Sequence, residues 1–283
     1  MKTPKRLLPL IEDGIIDDVI SQLMSGKEAT VYTVRCGSEI RCAKVYKDAA
    51  KRSFKKAVQY QEGRKVRNSR RARAMEKGSK FGRDQQEEIW QSAEVDALYT
   101  LAAAGVRVPE PFGCFNGVLI MELIIDDEGY VAPRLNDVEL SPEKARHDHA
   151  LIMQDVIRML CAGLIHGDLS EFNVLVNESG PIIIDLPQAV NAAGNNNAQA
   201  MLERDVRNMT NYYGQFAPEL LKSQHAKEIW TLFEKGELKP DTKLTGIVKT
   251  DTRLANVDAV MNEIKAAFEE QEELLERLRN SNS

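Results

Sequence analysis

His166-Gly-Asp168-Leu-Ser-Glu-Phe-Asn173-Val-Leu-Val and, a few residues later, Ile182-Ile-Ile-Asp185 are the most informative stretches of this 283-residue chain. Two β-prone apolar runs with small turn residues between them predict a hairpin. Asp168 and Asn173 precede the first run, and Asp185 ends the second. The predicted hairpin therefore brings two carboxylates and a carboxamide to one end of two adjacent strands.

This combination of side chains predicts a metal-dependent reaction. Carboxylate and carboxamide oxygens suit Mg²⁺, which keeps water and phosphate oxygens in its shell. One carboxylate then remains to accept a proton, and the spacing is typical of the catalytic loop of protein kinases. The alternative is two solvated turns with Asp and Asn at their usual positions. Asp168 and Asn173 alone do not separate the two interpretations, whereas His166-Gly and the buried run before Asp185 favour the catalytic one.

Lys44 lies inside the apolar run Ala43-Lys-Val-Tyr46. A lysine in such a strand is costly unless its ammonium meets an anion. Taken alone, Lys44 favours an edge strand that reaches solvent. With the downstream acids, it favours phosphate binding and an ion pair with Glu94, in the middle of a predicted helix over Ile89–Ala104.

The segment Ser25-Gly-Lys27-Glu-Ala-Thr-Val31-Tyr precedes the Lys44 strand, where a phosphate-covering loop is expected. It has one glycine, so it is neither a GxGxxG loop nor a Walker A loop. By itself it is an ordinary turn. Likewise, Ala217-Pro-Glu219 favours the first turn of a helix over the Ala-Pro-Glu motif of an ordinary kinase.

Apolar periodicity predicts the other elements. Ile15–Met24 is predicted as a short amphipathic helix or turn, and Thr30–Arg35 with Ile40–Tyr46 as a hairpin. Helices are predicted at Asp148–Ala162 and after Asn191; further elements are a strand at Val118–Ile125 and a final helix over Asn256–Arg279. Strands first and helices later predict an α+β fold with two lobes.

Charge is unevenly distributed along the chain. The net charge is −5, yet Lys47–Arg83 holds 14 Lys and Arg against three acids, a local +11 that leaves −16 elsewhere. This basic segment is either a solvated, flexible insert or a flap that binds acidic substrates or RNA. The flap interpretation includes autophosphorylation sites at Ser53, Ser69 or Ser79.

Composition narrows the compartment. No apolar run reaches the ~18 residues of a membrane helix, and no secretory signal follows Met1. The four cysteines form no CxxC pair, which argues against a disulfide framework or a structural zinc site. The sequence therefore predicts a cytoplasmic protein without a membrane partner.

Six stretches resemble, in order, the RIO family of atypical protein kinases, over roughly Ile15–Gly214. They are SGKEATVY (25–32), CAKVYK (42–47), MELI (121–124), APRLNDVEL (132–140), LIHGDLSEFNVLV (164–176) and IIIDLPQAV (182–190). The chain looks most like the subfamily without an N-terminal winged helix. The resemblance implies a two-lobed kinase fold, with a β-rich N-lobe, a helical C-lobe and no activation segment. It also implies ATP with Mg²⁺ or Mn²⁺ as cofactors.

The resemblance also assigns roles. Asp168 would be catalytic, Lys44 and Glu94 would form the ion pair, and Asn173 and Asp185 would bind metal. The implied ATP-binding residues are Ser25, Lys27, Val31, Lys44, Glu122, Ile124 and Leu175. His166 is expected to hold the catalytic loop by a hydrogen bond.

The resemblance implies domain bounds and functions as well. Residues 1–24 would be an extension with a helix, 25–125 the N-lobe with the basic insert, and 126–283 the C-lobe with C-terminal helices. The implied activity is phosphorylation of serine or threonine in protein, including autophosphorylation. One alternative is an ATPase switch that works through phospho-Asp185 on a ribonucleoprotein. The other is an inert, nucleic-acid-binding kinase core. The protein substrate stays unidentified, with RNA or a ribosomal particle as candidate partners of segment 47–83.

Overall fold

A computed structural model describes residues 3–26, 29–47 and 93–248. The chain divides into two compact units, Met1–Ile247 and Val248–Ser283, and the first contains every element described below. The predicted final helix, Lys27 and all of the basic segment except Lys47 lie outside the described residues. The lobe boundary expected near residue 125 stays a prediction.

A five-stranded antiparallel sheet forms the N-terminal lobe, with strand order β1-β2-β3-β5-β4. A short helix, α1, precedes it. The bounds are α1 Leu8–Glu12, β1 Asp18–Ser25, β2 Ala29–Cys36, β3 Glu39–Tyr46, β4 Pro111–Phe115 and β5 Val118–Glu122. Gly37, at a positive φ of 61°, makes the β2–β3 turn that the sequence predicted.

The helix predicted for Ile15–Met24 is wrong, because most of that segment is strand β1. Two irregularities in its pairing with β2 explain the error: the register shifts between Val19 and Ser21 and again between Gln22 and Met24. Each shift breaks the alternation of a regular strand. The inward-facing side chains of β1 therefore come at Val19 and Leu23, four residues apart, which imitates helical spacing.

A helix over 93–103, here called α2, packs one face into the main core and confirms the described part of the helix predicted at Ile89–Ala104. Ala97, Leu98 and Leu101 are buried in the same apolar cluster as Leu119 of β5. This packing fixes α2 beside β3. Glu94, on the first described turn of α2, is thereby brought next to the strand that carries Lys44.

The rest of the first unit is mainly helical. Its elements are a 3₁₀ turn at Leu135–Asp137, α3 Pro142–Cys161, β6 Leu164–Ile165, a 3₁₀ turn at Glu171–Asn173, β7 Val174–Asn177, β8 Gly180–Ile183, β9 Val190–Asn191, α4 Ala198–Gly214, a 3₁₀ turn at Pro218–Lys222 and α5 His225–Glu234. The predicted β7–β8 hairpin is confirmed, and Pro218 begins a turn as expected.

Helix α3 begins six residues before the predicted Asp148. Ser141 caps it, since its hydroxyl accepts a hydrogen bond from the Lys144 amide at 3.2 Å, and Pro142 occupies the first turn. These start signals are polar and precede the apolar stripe, so periodicity alone missed them.

Within the described ranges, no helix has both the length and the apolar character needed to cross a bilayer.

Candidate active site

Lys44 joins two acids that the sequence predicted for one site. Its ammonium donates to Glu94 Oε1 and, at 3.0 Å, to Asp185 Oδ1. The Lys44 and Glu94 side chains are only 11% and 5% exposed, whereas the Asp185 side chain is 47% exposed. Residues from β3, from α2 and from the segment after β8 therefore meet at one point, with Asp185 on the solvent side.

The electrostatics of this cluster favour the charged forms of Lys44 and Asp185. Burial disfavours the Lys44 ammonium, but the Glu94 and Asp185 carboxylates outweigh that effect and raise the pKa of Lys44. Burial likewise disfavours ionised Asp185. The positive charge of Lys44, helped by Arg134, outweighs it and lowers the pKa of Asp185. At neutral pH the cluster holds an ammonium and a carboxylate ready to face an anion and a cation.

Asp185 also has an unusual backbone. Its φ is 65°, in the left-handed region that residues with a Cβ rarely occupy. Such conformations cost free energy and concentrate at functional sites. The turn redirects the chain at the end of the Ile182–Ile184 run and exposes the Asp185 carboxylate while its neighbours stay covered.

The loop that carries Asp168 is fixed by Asp205 of α4. The two Asp205 carboxylate oxygens accept hydrogen bonds from the Gly167 amide at 2.7 Å and the Leu169 amide at 3.1 Å. Asn208 donates to the Leu169 carbonyl at 3.0 Å. Both neighbours of Asp168 are thus held by a buried helix, and the exposed Asp168 side chain projects from a fixed backbone.

Asp205 was missed in the sequence. Burial raises its pKa to about 6, although His166 and the two amides partly offset the effect. One signal was available: Asp205 lies in the apolar stripe of α4, four residues after Met201 and four before Met209. A carboxylate on a buried face needs hydrogen-bond donors, so its position alone indicates a structural or positioning role.

His166 links the catalytic loop to the segment that carries Asp185. The Asp168 amide donates to His166 Nδ1 at 3.3 Å, and His166 Nε2 lies 3.1 Å from the Ile184 carbonyl oxygen. Nδ1 must accept, so the proton is on Nε2, which donates to Ile184. The expectation that His166 holds the loop by a hydrogen bond is confirmed.

Asn173 is oriented by the same loop. Its side-chain amide donates to the Asp168 carbonyl at 2.8 Å, and its backbone carbonyl accepts from the Ile184 amide at 2.9 Å. With the NH₂ group engaged, Oδ1 is the atom of this side chain that can meet a cation. Asn173 and Asp185 are thereby tied to one hairpin, as the sequence predicted.

A small cleft of about 30 Å³ lies against the ion-pair cluster. Its lining combines the charged end with an apolar wall: Lys44, Glu94, Leu98, Pro109, Leu119, Met121, Ile184, Asp185 and Leu186. Leu175 and Ile124, both predicted to contact adenine, pack in one small cluster with Ala132 and Ile182. An apolar wall ending in charged groups suits a ligand with a flat base and a charged tail.

The predicted adenine-binding backbone has a defined hydrogen-bond pattern. The Glu122 amide donates to the Glu110 carbonyl at 2.8 Å, and the Ile124 carbonyl accepts from the Ala132 amide at 3.0 Å. The other two backbone groups of these residues, the Glu122 carbonyl and the Ile124 amide, are the ones expected to face the edge of the adenine base. Their contact with adenine stays a prediction.

Two other predicted ATP-binding residues, Ser25 and Val31, lie on β1 and β2. Val31 is the cross-strand partner of Lys44, so the two side chains share a face of the sheet. Ser25 ends β1 and accepts a hydrogen bond from Lys47 at 3.0 Å. The Gly26 amide donates to the Ala29 carbonyl at 2.9 Å.

The donor set fits a hard cation that is shared with phosphate. In the described part of the chain, no three His, Cys, Asp or Glu side chains converge on a metal position. Asn173 and Asp185 alone supply two oxygen ligands. A cation held there needs water and phosphate oxygens for the rest of its shell, which is the usual arrangement for Mg²⁺.

A β-sheet lobe with a buried Lys–Glu pair, followed by a helical region with the Asp168, Asn173 and Asp185 set, defines a protein-kinase-like fold. The model of the RIO domain matches residues 30–227 of this chain. The chain is 32% identical over 209 residues to the RIO-type serine/threonine-protein kinase Rio1 of Haloferax volcanii, covering 72% of this chain and 66% of that protein.

A human relative and a solved structure agree with this match. Human serine/threonine-protein kinase RIO1 is 30% identical over 246 residues, covering 86% of this chain and 40% of that protein. The Rio2 kinase of Chaetomium thermophilum, solved as an ADP/Mg²⁺-phosphoaspartate complex, superposes with a TM-score of 0.53. Its identity is 19%, and the match covers 82% of this chain and 74% of that one. The chain therefore belongs to the RIO family, and it spans 66% or less of the length of these two Rio1 relatives.

Proposed function

We propose that this protein transfers the γ-phosphoryl group of ATP to serine or threonine hydroxyls of proteins, including its own. The observation that carries the proposal is that Lys44 contacts both Glu94 and Asp185 beside a cleft. Asp185 lies at the end of the same hairpin as Asn173. The names of the Rio1 relatives, which call them serine/threonine-protein kinases, support it.

Each residue then has a physical role. Lys44, oriented by buried Glu94, neutralises phosphate charge, and Asp185 and Asn173 hold Mg²⁺. Bound Mg²⁺ supplies charge neutralisation on the phosphate oxygens. Asp168, held by Asp205 through the loop backbone, orients the acceptor hydroxyl and takes its proton. Positioning and electrostatic stabilisation do most of the catalytic work in phosphoryl transfer.

A second function has one specific observation in its favour. In an ATPase switch, an Asp185 oxygen would attack the γ-phosphorus while the bond to the ADP oxygen breaks, and water would then hydrolyse the acyl phosphate. The Asp185 side chain is 47% exposed, so its carboxylate is accessible to such a reaction. The Rio2 kinase of Chaetomium thermophilum was solved with a phosphoaspartate, which supports the same chemistry for that protein.

The fate of labelled phosphate tests the two functions. Wild-type protein is incubated with γ-labelled ATP and a generic basic acceptor, and the labelled protein is then treated with hydroxylamine. Serine and threonine phosphates resist hydroxylamine, whereas an acyl phosphate is released. Label that stays on the acceptor or on the chain's own serines supports the kinase. If hydroxylamine releases all of the label, the ATPase switch replaces the kinase as the proposed function.

We also propose that segment 47–83 contacts a polyanion, such as the backbone of an RNA or ribosomal partner, and that the protein acts in the cytoplasm. The support is the local charge of +11 on an otherwise acidic chain.

We propose as well that this segment is autophosphorylated at Ser53, Ser69 or Ser79. Phosphopeptide mapping after incubation with ATP tests it, and label confined to other segments would remove it.

A further inference from the structure

We propose that Arg134 is a further phosphate-binding residue, whose guanidinium contacts the terminal phosphates of the bound nucleotide. The inference rests on the proposed function, because it assumes a nucleotide in the cleft. No motif in the sequence assigned a role to this arginine.

The backbone pairs Arg134 with Leu175, a residue predicted to contact adenine. Arg134 and Leu175 form an isolated antiparallel bridge, and the neighbouring Val176 amide donates to the Pro133 carbonyl at 2.9 Å. Residues directly opposite each other in an antiparallel pair project to the same face. Arg134 therefore projects to the side of Leu175, which packs in the apolar cluster that contains Ile124.

The guanidinium end of the Arg134 side chain reaches the N-terminal lobe. Arg134 Nη2 lies 2.8 Å from the sulfur of Met24, at the end of β1. Ser25, the next residue, begins the loop predicted to cover phosphates. The guanidinium thus lies beside the start of the loop predicted to cover phosphates.

Within the described ranges, the partner of the Arg134 side chain is the thioether of Met24, and no carboxylate lies within ion-pairing distance. A thioether is a weak acceptor, while a guanidinium has five N–H donors in a planar fork suited to phosphate oxygens. A half-buried arginine in that position gains most from a phosphate ligand.

The test measures the affinity of full-length protein for ATP, ADP, AMP and adenosine in Mg²⁺ by calorimetry. Arg134→Gln should raise the Kd for ATP and ADP roughly tenfold, as expected for one lost charge-assisted interaction, and leave AMP and adenosine within about twofold. Arg134→Lys should recover part of the loss, since it keeps the charge without the fork. Arg146→Gln, which removes a cation that pairs with Glu219, is the matched control and should change none of the four.

Thermal melting first shows that each variant is folded. Unchanged ATP affinity in folded Arg134→Gln, or an equal loss for adenosine and ATP, would overturn the inference. The first result removes the contact, and the second assigns it to the base or sugar. A wild type that binds ATP but phosphorylates no protein would contradict the proposed function and leave the Arg134 result intact.

Discussion

The ion pair between Lys44 and Glu94 gives the sharpest test of how the site is built. Glu94→Ala leaves Lys44 with Asp185 as its nearest carboxylate, at 3.0 Å, so the ammonium should move away from the phosphate position. Lys44→Ala leaves two carboxylates facing each other without a cation. Glu94→Ala removes the charge-assisted hydrogen bond that orients the Lys44 ammonium, which is worth about 1.5–3 kcal/mol of transition-state stabilisation. In kcat/KM, that is a loss of about 10- to 150-fold.

The double variant decides whether the two residues act as one unit. Kinetics of labelled phosphate transfer give kcat/KM for the wild type, both single variants and the pair. We expect the pair to lose little more than Lys44→Ala alone, so the coupling energy should be close to the whole cost of Glu94→Ala, about 1.5–3 kcal/mol. Glu39→Gln, which removes an exposed partner of Arg41, is the control and should cost under about 1 kcal/mol. Losses that add to within about 0.5 kcal/mol would refute the ion-pair argument.

Three further predictions use other parts of the molecule. Asp185→Asn should weaken Mg²⁺-ATP binding as well as turnover, because it removes a proposed metal ligand. Calorimetry with and without Mg²⁺ measures the ATP affinity of the wild type and of Asp185→Asn. Equal affinity of the two proteins in both conditions would contradict this prediction. Asp205→Asn should flatten the pH dependence of unfolding. The raised pKa of Asp205, about 6 in the folded state, means that the folded protein binds more protons than the unfolded chain between pH ~4 and 6, so wild-type stability falls by roughly 3 kcal/mol as pH rises through that window. Urea titrations at pH 4.5 and 6.5 measure the free energy of unfolding of both proteins. If it changes with pH in Asp205→Asn as much as in the wild type, Asp205 is not the group responsible. Neutralising six cations of the basic segment should flatten the salt dependence of RNA binding while leaving turnover on a small neutral acceptor nearly unchanged. The six are Arg64, Lys65, Arg67, Arg70, Arg71 and Arg73. Salt-independent binding by the wild type would make the segment a solvated insert.

The chemistry-bearing residues were predictable because they lie in short local patterns. Asp168, Asn173 and Asp185 are brought together by one hairpin, whose apolar runs and turn are visible in the sequence. The Lys44 strand is equally local. Pairing Lys44 with Glu94 across 50 residues depended on the kinase-like pattern of the downstream acids, since spacing alone does not show which helix packs beside β3.

What the sequence did not show depends on tertiary contacts or on local irregularity. Strand β1 was predicted as a helix because two register shifts changed its period. Asp205 acts through backbone amides 36 and 38 residues earlier, and no motif records such contacts. Arg134 gains its significance from Met24, which lies 110 residues away in the other lobe. Such residues become visible only when the fold places their partners.

Asp168 tests the central claim most directly, because it is the proposed proton acceptor and is not assigned to metal. Asp168→Asn is compared with the wild type for both ATP affinity and the rate of phosphate transfer to protein hydroxyls. We predict that ATP affinity stays within about threefold while transfer falls by 10²-fold or more, as expected for loss of a general base. Near-normal transfer by an Asp168→Asn protein that still binds ATP would contradict the assignment of this site as a protein kinase centre.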